Sequence, residues 1–205
     1  VAREIVRLDA QERGKRDGIL QPAAEPRRRA RQPGRDLILT GPIIVTALFG
    51  DGDNGWLQQL RRSHYPPERN RVPAHLTLFR QLPPSLEAEL ARRLAAAAAA
   101  PPPRATIAGI VDLGEGTALR VESEDLAAIR AELADAFHGL LTPQDLSPFR
   151  PHVTIQNKVE ARDAKNLQQQ LRASFAPRPL AIRALASWRY RDGPWEPLKV
   201  HAFRK

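Results

Sequence analysis

Residues 73–84 read PAHLTLFRQLPP, and residues 150–157 read RPHVTIQN. Each stretch is short, rich in Leu, Ile, Val and Thr, and begins beside a proline, which marks a β-strand with defined ends. Successive side chains of a strand point to opposite faces. His75, Thr77 and Phe79 are therefore expected on one face of the first strand, and His152, Thr154 and Gln156 on one face of the second. Leu76, Leu78, Val153 and Ile155 point the other way and supply a core. Each strand so read packs one side against helices and turns a histidine and a threonine into a polar cleft.

The two stretches begin matching units. At an offset of 77 residues His75 meets His152, Thr77 meets Thr154, Leu90 meets Leu167 and Leu94 meets Leu171. Upstream of each lies a strand and a helix. The apolar run 43–49 is followed by a helical pattern over 53–62, with Asp53 placed to cap it. The strand 118–121 is followed by Leu126, Ile129, Leu133, Phe137 and Leu140 at helical spacing. Downstream of each lies a helix, the first capped by Ser85, and then a further strand. Residues 106–113 form that strand in the first unit, joined to 118–121 by the turn 114–116. Residues 180–190 and 198–203 close the chain as a hairpin whose Asp192-Gly193 turn suits positive φ. The expected fold is α+β and bilobal: duplicated β-α-β-α-β units, about 37–113 and 114–205, related by a pseudo-two-fold axis around a central cleft. The period is too long for a solenoid.

Two histidines facing each other across a cleft suit displacement at a phosphodiester. A base must take a proton from the nucleophile, and an acid must protonate the departing oxygen. Imidazole titrates near neutrality and serves either role. Threonine hydroxyls donate hydrogen bonds to the non-bridging oxygens, where charge is held in the transition state. The chain has 205 residues with five His and seven Thr, so about 0.2 His-x-Thr pairs are expected by chance. Two pairs, each starting a repeat unit, exceed that. No carboxylate sits within either motif, and two histidines alone rarely hold a metal, so no metal site is expected.

The paired motifs, the second within RPHVTI, resemble those of the 2H phosphoesterase superfamily. Within it, the stretch from PIIVTALF through the final hairpin is similar to the bacterial 2′-5′ RNA ligases, also called RNA 2′,3′-cyclic phosphodiesterases. The resemblance implies a bilobal α/β fold, His75 and His152 as the catalytic pair, Thr77 and Thr154 as phosphate-binding hydroxyls, and no cofactor. It implies action on RNA ends or cyclic nucleotide phosphates. Water would open a 2′,3′-cyclic phosphate to a 2′-phosphate, and a 5′-hydroxyl RNA end would be joined through a 2′-5′ bond. The near symmetry of the copies leaves open which histidine is acid and which is base. Two other readings keep the same groove: a phosphodiesterase for small nucleotides, or an RNA-end-binding module without turnover.

Secondary substrate contacts are expected from Arg150, two residues before His152, and from Phe79 and Gln156 at the far ends of the strands. Residues 69–71 rim the approach to His75. His64, His138 and His201 do not repeat and have no threonine two residues on. Trp188, Tyr190 and Trp195 fit hairpin packing.

Composition sets the remaining bounds. A formal net charge of +9 favours a polyanionic partner. Absence of cysteine excludes disulfides and thiolate metal sites and fits a reducing, cytoplasmic setting. No apolar run approaches the roughly 20 residues of a membrane span. Residues 1–36, rich in Arg, Pro and Ala without a hydrophobic period, are expected to form a disordered basic arm. The folded part is expected over 37–205, acting as a monomer.

Overall fold

The structure, a computed structural model, describes residues 41–193 and 195–204. The arm expected over 1–36 lies outside the described residues. The elements run β1 (Ile43–Phe49), α1 (Asp51–His64), β2 (Leu76–Leu82), α2 (Glu87–Ala98), β3 (Thr106–Asp112), β4 (Gly116–Glu122), α3 (Glu124–Ala136), α4 (Pro143–Leu146), β5 (His152–Asn157), α5 (Ala161–Ala173), β6 (Arg178–Pro179), β7 (Ile182–Tyr190) and β8 (Trp195–Ala202).

Two four-stranded antiparallel sheets carry the molecule, in the orders β2-β1-β7-β8 and β5-β4-β3-β6. The expected duplication is present: β1-α1-β2-α2-β3 repeats as β4-α3-β5-α5-β7. The third strand of each unit is exchanged. β3 closes the first unit in sequence but pairs with β4 of the second, and β7 closes the second unit but pairs with β1 of the first. Each sheet is thus completed by the other unit, and the lobes are not the two halves of the sequence. Both edge strands β2 and β5 carry a His-x-Thr motif.

The core forms where the two repeat units each place apolar side chains behind their sheets. Ile43, Val45, Leu57, Leu76 and Leu185 are fully buried in one part, and Ile107, Leu126, Val153 and Ile155 in the other. Gly116 marks a close strand approach, since a Cβ there would sit 2.4 Å from the carbonyl oxygen of Gln156.

The helix starts differ from the expected caps. The N-cap of α1 is Gly50, with no side-chain cap. Asp53 instead accepts hydrogen bonds from Arg178 Nη2 at 2.6 Å and from the Ala181 amide at 2.8 Å, fastening α1 to β6 and to the link between β6 and β7. A 3-10 turn over Pro84–Leu86 precedes α2, and no side chain caps that helix. The helix α3 stops at Ala136, and Gly139 at φ +80° turns the chain away, leaving Leu140 exposed.

Candidate active site

Both His-x-Thr motifs open onto one cavity of about 450 Å³. His75, Thr77, His152 and Thr154 all line it. The two histidines are held alike. Nδ1 of His75 lies 2.7 Å from the carbonyl oxygen of Pro73, and Nδ1 of His152 lies 2.8 Å from that of Arg150. A carbonyl oxygen only accepts, so each Nδ1 carries the proton and donates it. Each ring is thereby fixed in one tautomer, with Nε2 left as the nitrogen available to the cavity. The acceptor is in both cases two residues upstream, next to a proline or across one: the sequences are Pro-Ala-His and Arg-Pro-His.

Immediately after each threonine the strand bulges. One step along β1, from Val45 to Thr46, spans two along β2, from Phe79 to Thr77. One step along β4, from Thr117 to Ala118, spans two along β5, from Gln156 to Thr154. The extra residues are Leu78 and Ile155, again 77 apart. A bulge adds one residue and flips the facing of those beyond it. Phe79 and Gln156, expected in the cleft, are therefore turned into the core. Phe79 is 0% exposed. Gln156 is 6% exposed and its Oε1 accepts from Thr117 Oγ1 at 3.1 Å. The next residues, Arg80 and Asn157, line the cavity in their place.

Arg150 is also corrected. The strand β5 starts at His152, so strand alternation does not extend back through Pro151. The Arg150 side chain is exposed and is not among the cavity's lining, and its contribution is the carbonyl that orients His152.

Each bulged strand is gripped by a buried charged group from the opposite repeat unit. Asp145, in α4 of the second unit, is 3% exposed. Its two oxygens accept from the successive amides of Arg80 at 2.8 Å and Gln81 at 3.0 Å on β2. Arg61, in α1 of the first unit, is 2% exposed. Its Nη1 donates to the carbonyl of Thr154 on β5 at 2.7 Å. Its Nη2 donates to Asn70 Oδ1 at 2.7 Å and to the Val72 carbonyl at 3.0 Å, in the loop ahead of His75.

The cavity breaks the two-fold symmetry. The lining includes the apolar and aromatic side chains Ile44, Tyr65, Tyr190 and Trp195. The His75 and Trp195 rings lie 4.7 Å apart at 53°. Trp195 packs on Trp188, whose Nε1 donates to the buried Thr46 hydroxyl at 2.8 Å. The same lining includes polar side chains, Arg80, Gln81, Gln144 and Asn157. Burial is the main reason that His75 is pulled down from 6.5 to about 4. The Pro73 carbonyl pulls it up, and the charges of Arg61, His152 and Arg80 push it further down. His75 is accordingly neutral at neutral pH, with the Nε2 lone pair free.

Sequence reasoning missed Arg61, Arg80, Asn157 and the aromatic part of the lining. For Arg61 there was a signal: it falls four residues after Leu57, on the stripe that α1 buries, where an apolar residue is the ordinary choice. None of residues 69–71, expected to rim the cleft, is among the cavity's lining, which takes Val72 from this loop; Asn70 is instead a partner of Arg61, and Arg71 Nε donates to the Glu68 carbonyl. His64, His138 and His201 lie outside the cavity. A second cavity, about 740 Å³, lies between α2 and α3 and receives none of the His-x-Thr side chains. Among the described residues no group of three or more His, Cys, Asp or Glu is placed to hold a metal ion. Among them, too, no helix is long and apolar enough to cross a membrane.

A duplicated fold of exchanged sheets, with twin His-x-Thr strands on one cavity, is that of the 2H phosphoesterases. The sequence model of the 2′-5′ RNA ligase superfamily matches residues 49–194, and the chain belongs to that family. Among solved structures the fold is similar to that of E. coli LigT complexed with 3′-AMP, at 21% identity and a TM-score of 0.52, covering 81% of this chain and 99% of that one. It is similar also to a protein of Thermus thermophilus, at 17% identity and a TM-score of 0.52, covering 80% and 98%. A structure described as a phosphoesterase aligns at 19% identity and a TM-score of 0.50, covering 80% and 99%. No curated protein matches the chain in sequence.

Proposed function

We propose that the protein opens 2′,3′-cyclic phosphates, at RNA ends or in nucleotides, to 2′-phosphates. The observation that carries this reading is the paired tautomer lock: two imidazoles, each donating Nδ1–H to the carbonyl two residues upstream, with both Nε2 atoms available to one cavity.

The asymmetry of the cavity supports one division of roles. His75, its pKa lowered chiefly by desolvation and its ring set against Trp195, takes a proton from the attacking water at Nε2. The water oxygen bonds to phosphorus as the bond to the 3′ oxygen breaks. His152, in its protonated form, delivers its Nε2 proton to that departing oxygen. Thr77 and Thr154 donate to the two non-bridging oxygens, and Arg80 adds a cation in the cavity's lining. Charge-assisted contacts of this kind are stronger than neutral ones. A 5′-hydroxyl in place of water would make the same displacement a 2′-5′ ligation. The aromatic side chains of Tyr65, Tyr190 and Trp195 offer stacking surface for a nucleobase.

Small nucleotides are the second reading, favoured by the cavity's size and by the 3′-AMP held by E. coli LigT. Steady-state hydrolysis of a mononucleoside 2′,3′-cyclic phosphate, compared with an RNA ending in one, separates the two. An RNA substrate should lose kcat/KM steeply with added salt, since a polyanion releases counterions on binding. Preference for the mononucleotide with a shallow salt slope would favour the small-nucleotide reading. No turnover of either would contradict both.

A further inference from the structure

Arg61 is a buried cation with no carboxylate among its hydrogen-bond partners in the described residues. Its guanidinium holds three neutral oxygens, on Thr154, Asn70 and Val72, and lies 4.5 Å from the centre of the Tyr65 ring. Burial lowers its pKa while Tyr65 pulls the other way, but a guanidinium remains charged at any pH at which the protein folds. Taking an ion from water is costly unless something compensates it. A buried arginine used only to fill space would be replaced at less cost by leucine or methionine on this helix stripe.

The location of its three acceptors gives the reason. Thr154 follows His152 by two residues on β5. Val72 precedes His75 by three and is one residue from Pro73, whose carbonyl orients the His75 ring. The two strands belong to different sheets and different repeat units, and no sheet hydrogen bond joins them among the described pairings. One planar fork thus spans the seam between the two histidines and holds both approaches to them. Lysine, with a point charge on a flexible stem, cannot reproduce such a fork.

Resting on the phosphoesterase reading above, we propose that Arg61 is a positioning residue: it fixes the separation and orientation of His75 and His152 across the seam, and keeps a positive charge at the cavity's lining for an incoming phosphate to neutralise. Arg61 is itself among the residues that line the cavity. It acts through the Thr154 carbonyl, the Val72 carbonyl and its charge.

The test uses the full chain and the variants Arg61→Lys, Arg61→Met, Arg61→Ala and Asn70→Ala, with a thermal melt on each. Asn70→Ala removes one acceptor and keeps the guanidinium, so it remains informative if an Arg61 variant fails to fold. For hydrolysis of a mononucleoside 2′,3′-cyclic phosphate, Arg61→Lys should fold and lose kcat on the order of 10-fold or more, with KM moving less. Arg61→Met should lose more, and Asn70→Ala less. The charged groups facing His75 are Arg61 from α1, Arg80 from β2 and His152 from β5. Removing the Arg61 charge should therefore move the acid limb of kcat/KM upward in Arg61→Met and leave it nearly in place in Arg61→Lys. Millimolar guanidinium should restore part of the rate of Arg61→Ala. Wild-type kcat and an unmoved acid limb in folded variants would overturn the proposal. So would losses that follow the folded fraction alone.

NMR titration of the two imidazoles keeps the test independent of turnover. If the wild type hydrolyses no cyclic phosphate, the proposed function fails. Arg61 then stands or falls on the His75 titration, which should shift upward in Arg61→Met and would be unchanged if the arginine only filled space.

Discussion

His75 and His152 make the same bond: each donates from Nδ1 to the carbonyl two residues before it, at 2.7 Å and 2.8 Å. The bond leaves two like-oriented Nε2 atoms at one cavity, as a base and an acid on either side of a phosphorus would require. What differs is the surroundings. Among the described residues the aromatic ring contact, with Trp195, falls to His75 and not to His152, and on this difference rests the proposed role of His75 as base.

The acid limb of kcat/KM reports the free enzyme's base. It is expected near pH 4, where His75 is held, so that activity persists to about pH 5. Replacing Trp195 by alanine opens the ring to water and relieves the burial that is the main cause of the shift. The acid limb should then rise toward 6.5, the ordinary histidine value. An unmoved limb in Trp195→Ala would show that burial against this ring does not set the titration.

The same shift predicts a pH dependence of stability. The unfolded chain protonates His75 near 6.5, while the folded chain resists until about 4. The unfolded state binds the extra proton between those values, so stability contributed above 6.5 is lost as pH falls through that window. Urea unfolding midpoints of the wild type should decline from pH 6.5 to 4 more steeply than those of His75→Ala. Parallel declines would contradict the assignment.

Asp145 should be structural in its energetics. Its carboxylate accepts from two successive amides of β2. Alanine leaves both part-buried amides without this partner, at up to about 1–3 kcal/mol each. Asp145→Ala is expected to lose several °C in Tm, with Asp145→Asn between it and the wild type, since an amide oxygen replaces one acceptor. A melt that does not move would contradict the clamp.

The bulges make an opposing pair of predictions at neighbouring residues. Gln156 is bonded under Thr117 in the core, whereas Asn157 lines the cavity. Gln156→Ala should lower Tm and leave KM near wild type. Asn157→Ala should raise KM and barely change Tm. Phe79→Ala belongs with the first, losing about 3–5 kcal/mol of stability as buried aromatics do. A KM effect at Gln156 without a Tm effect would restore the strand alternation that the bulges break.

Much of the fold was legible because its signals are local. The strands 43–49 and 152–157 show as apolar runs between Gly, Pro and polar residues, and the 77-residue offset of two His-x-Thr pairs gives the duplication. The exchange of β3 and β7 was not legible, since strand partners are chosen by long-range packing that no short window contains. The two bulges were not legible either. Leu78 and Ile155 look like ordinary strand residues, and a single inserted residue reverses the facing of Phe79 and Gln156 without any mark in composition. Arg150 was misplaced by extending alternation through a proline that stands before the strand. Trp195 was read as hairpin packing, which it is through Trp188, but its other neighbour is His75.

The central claim is that two histidines share the proton work of opening a cyclic phosphate. The most direct measurement is ³¹P NMR of the product from a nucleoside 2′,3′-cyclic phosphate, with EDTA present, for the wild type, His75→Ala and His152→Ala. The account predicts a 2′-phosphate from the wild type and a rate lower by about 10²–10⁴-fold in either variant. A 3′-phosphate product, or a folded His75→Ala or His152→Ala that retains wild-type turnover, would contradict it.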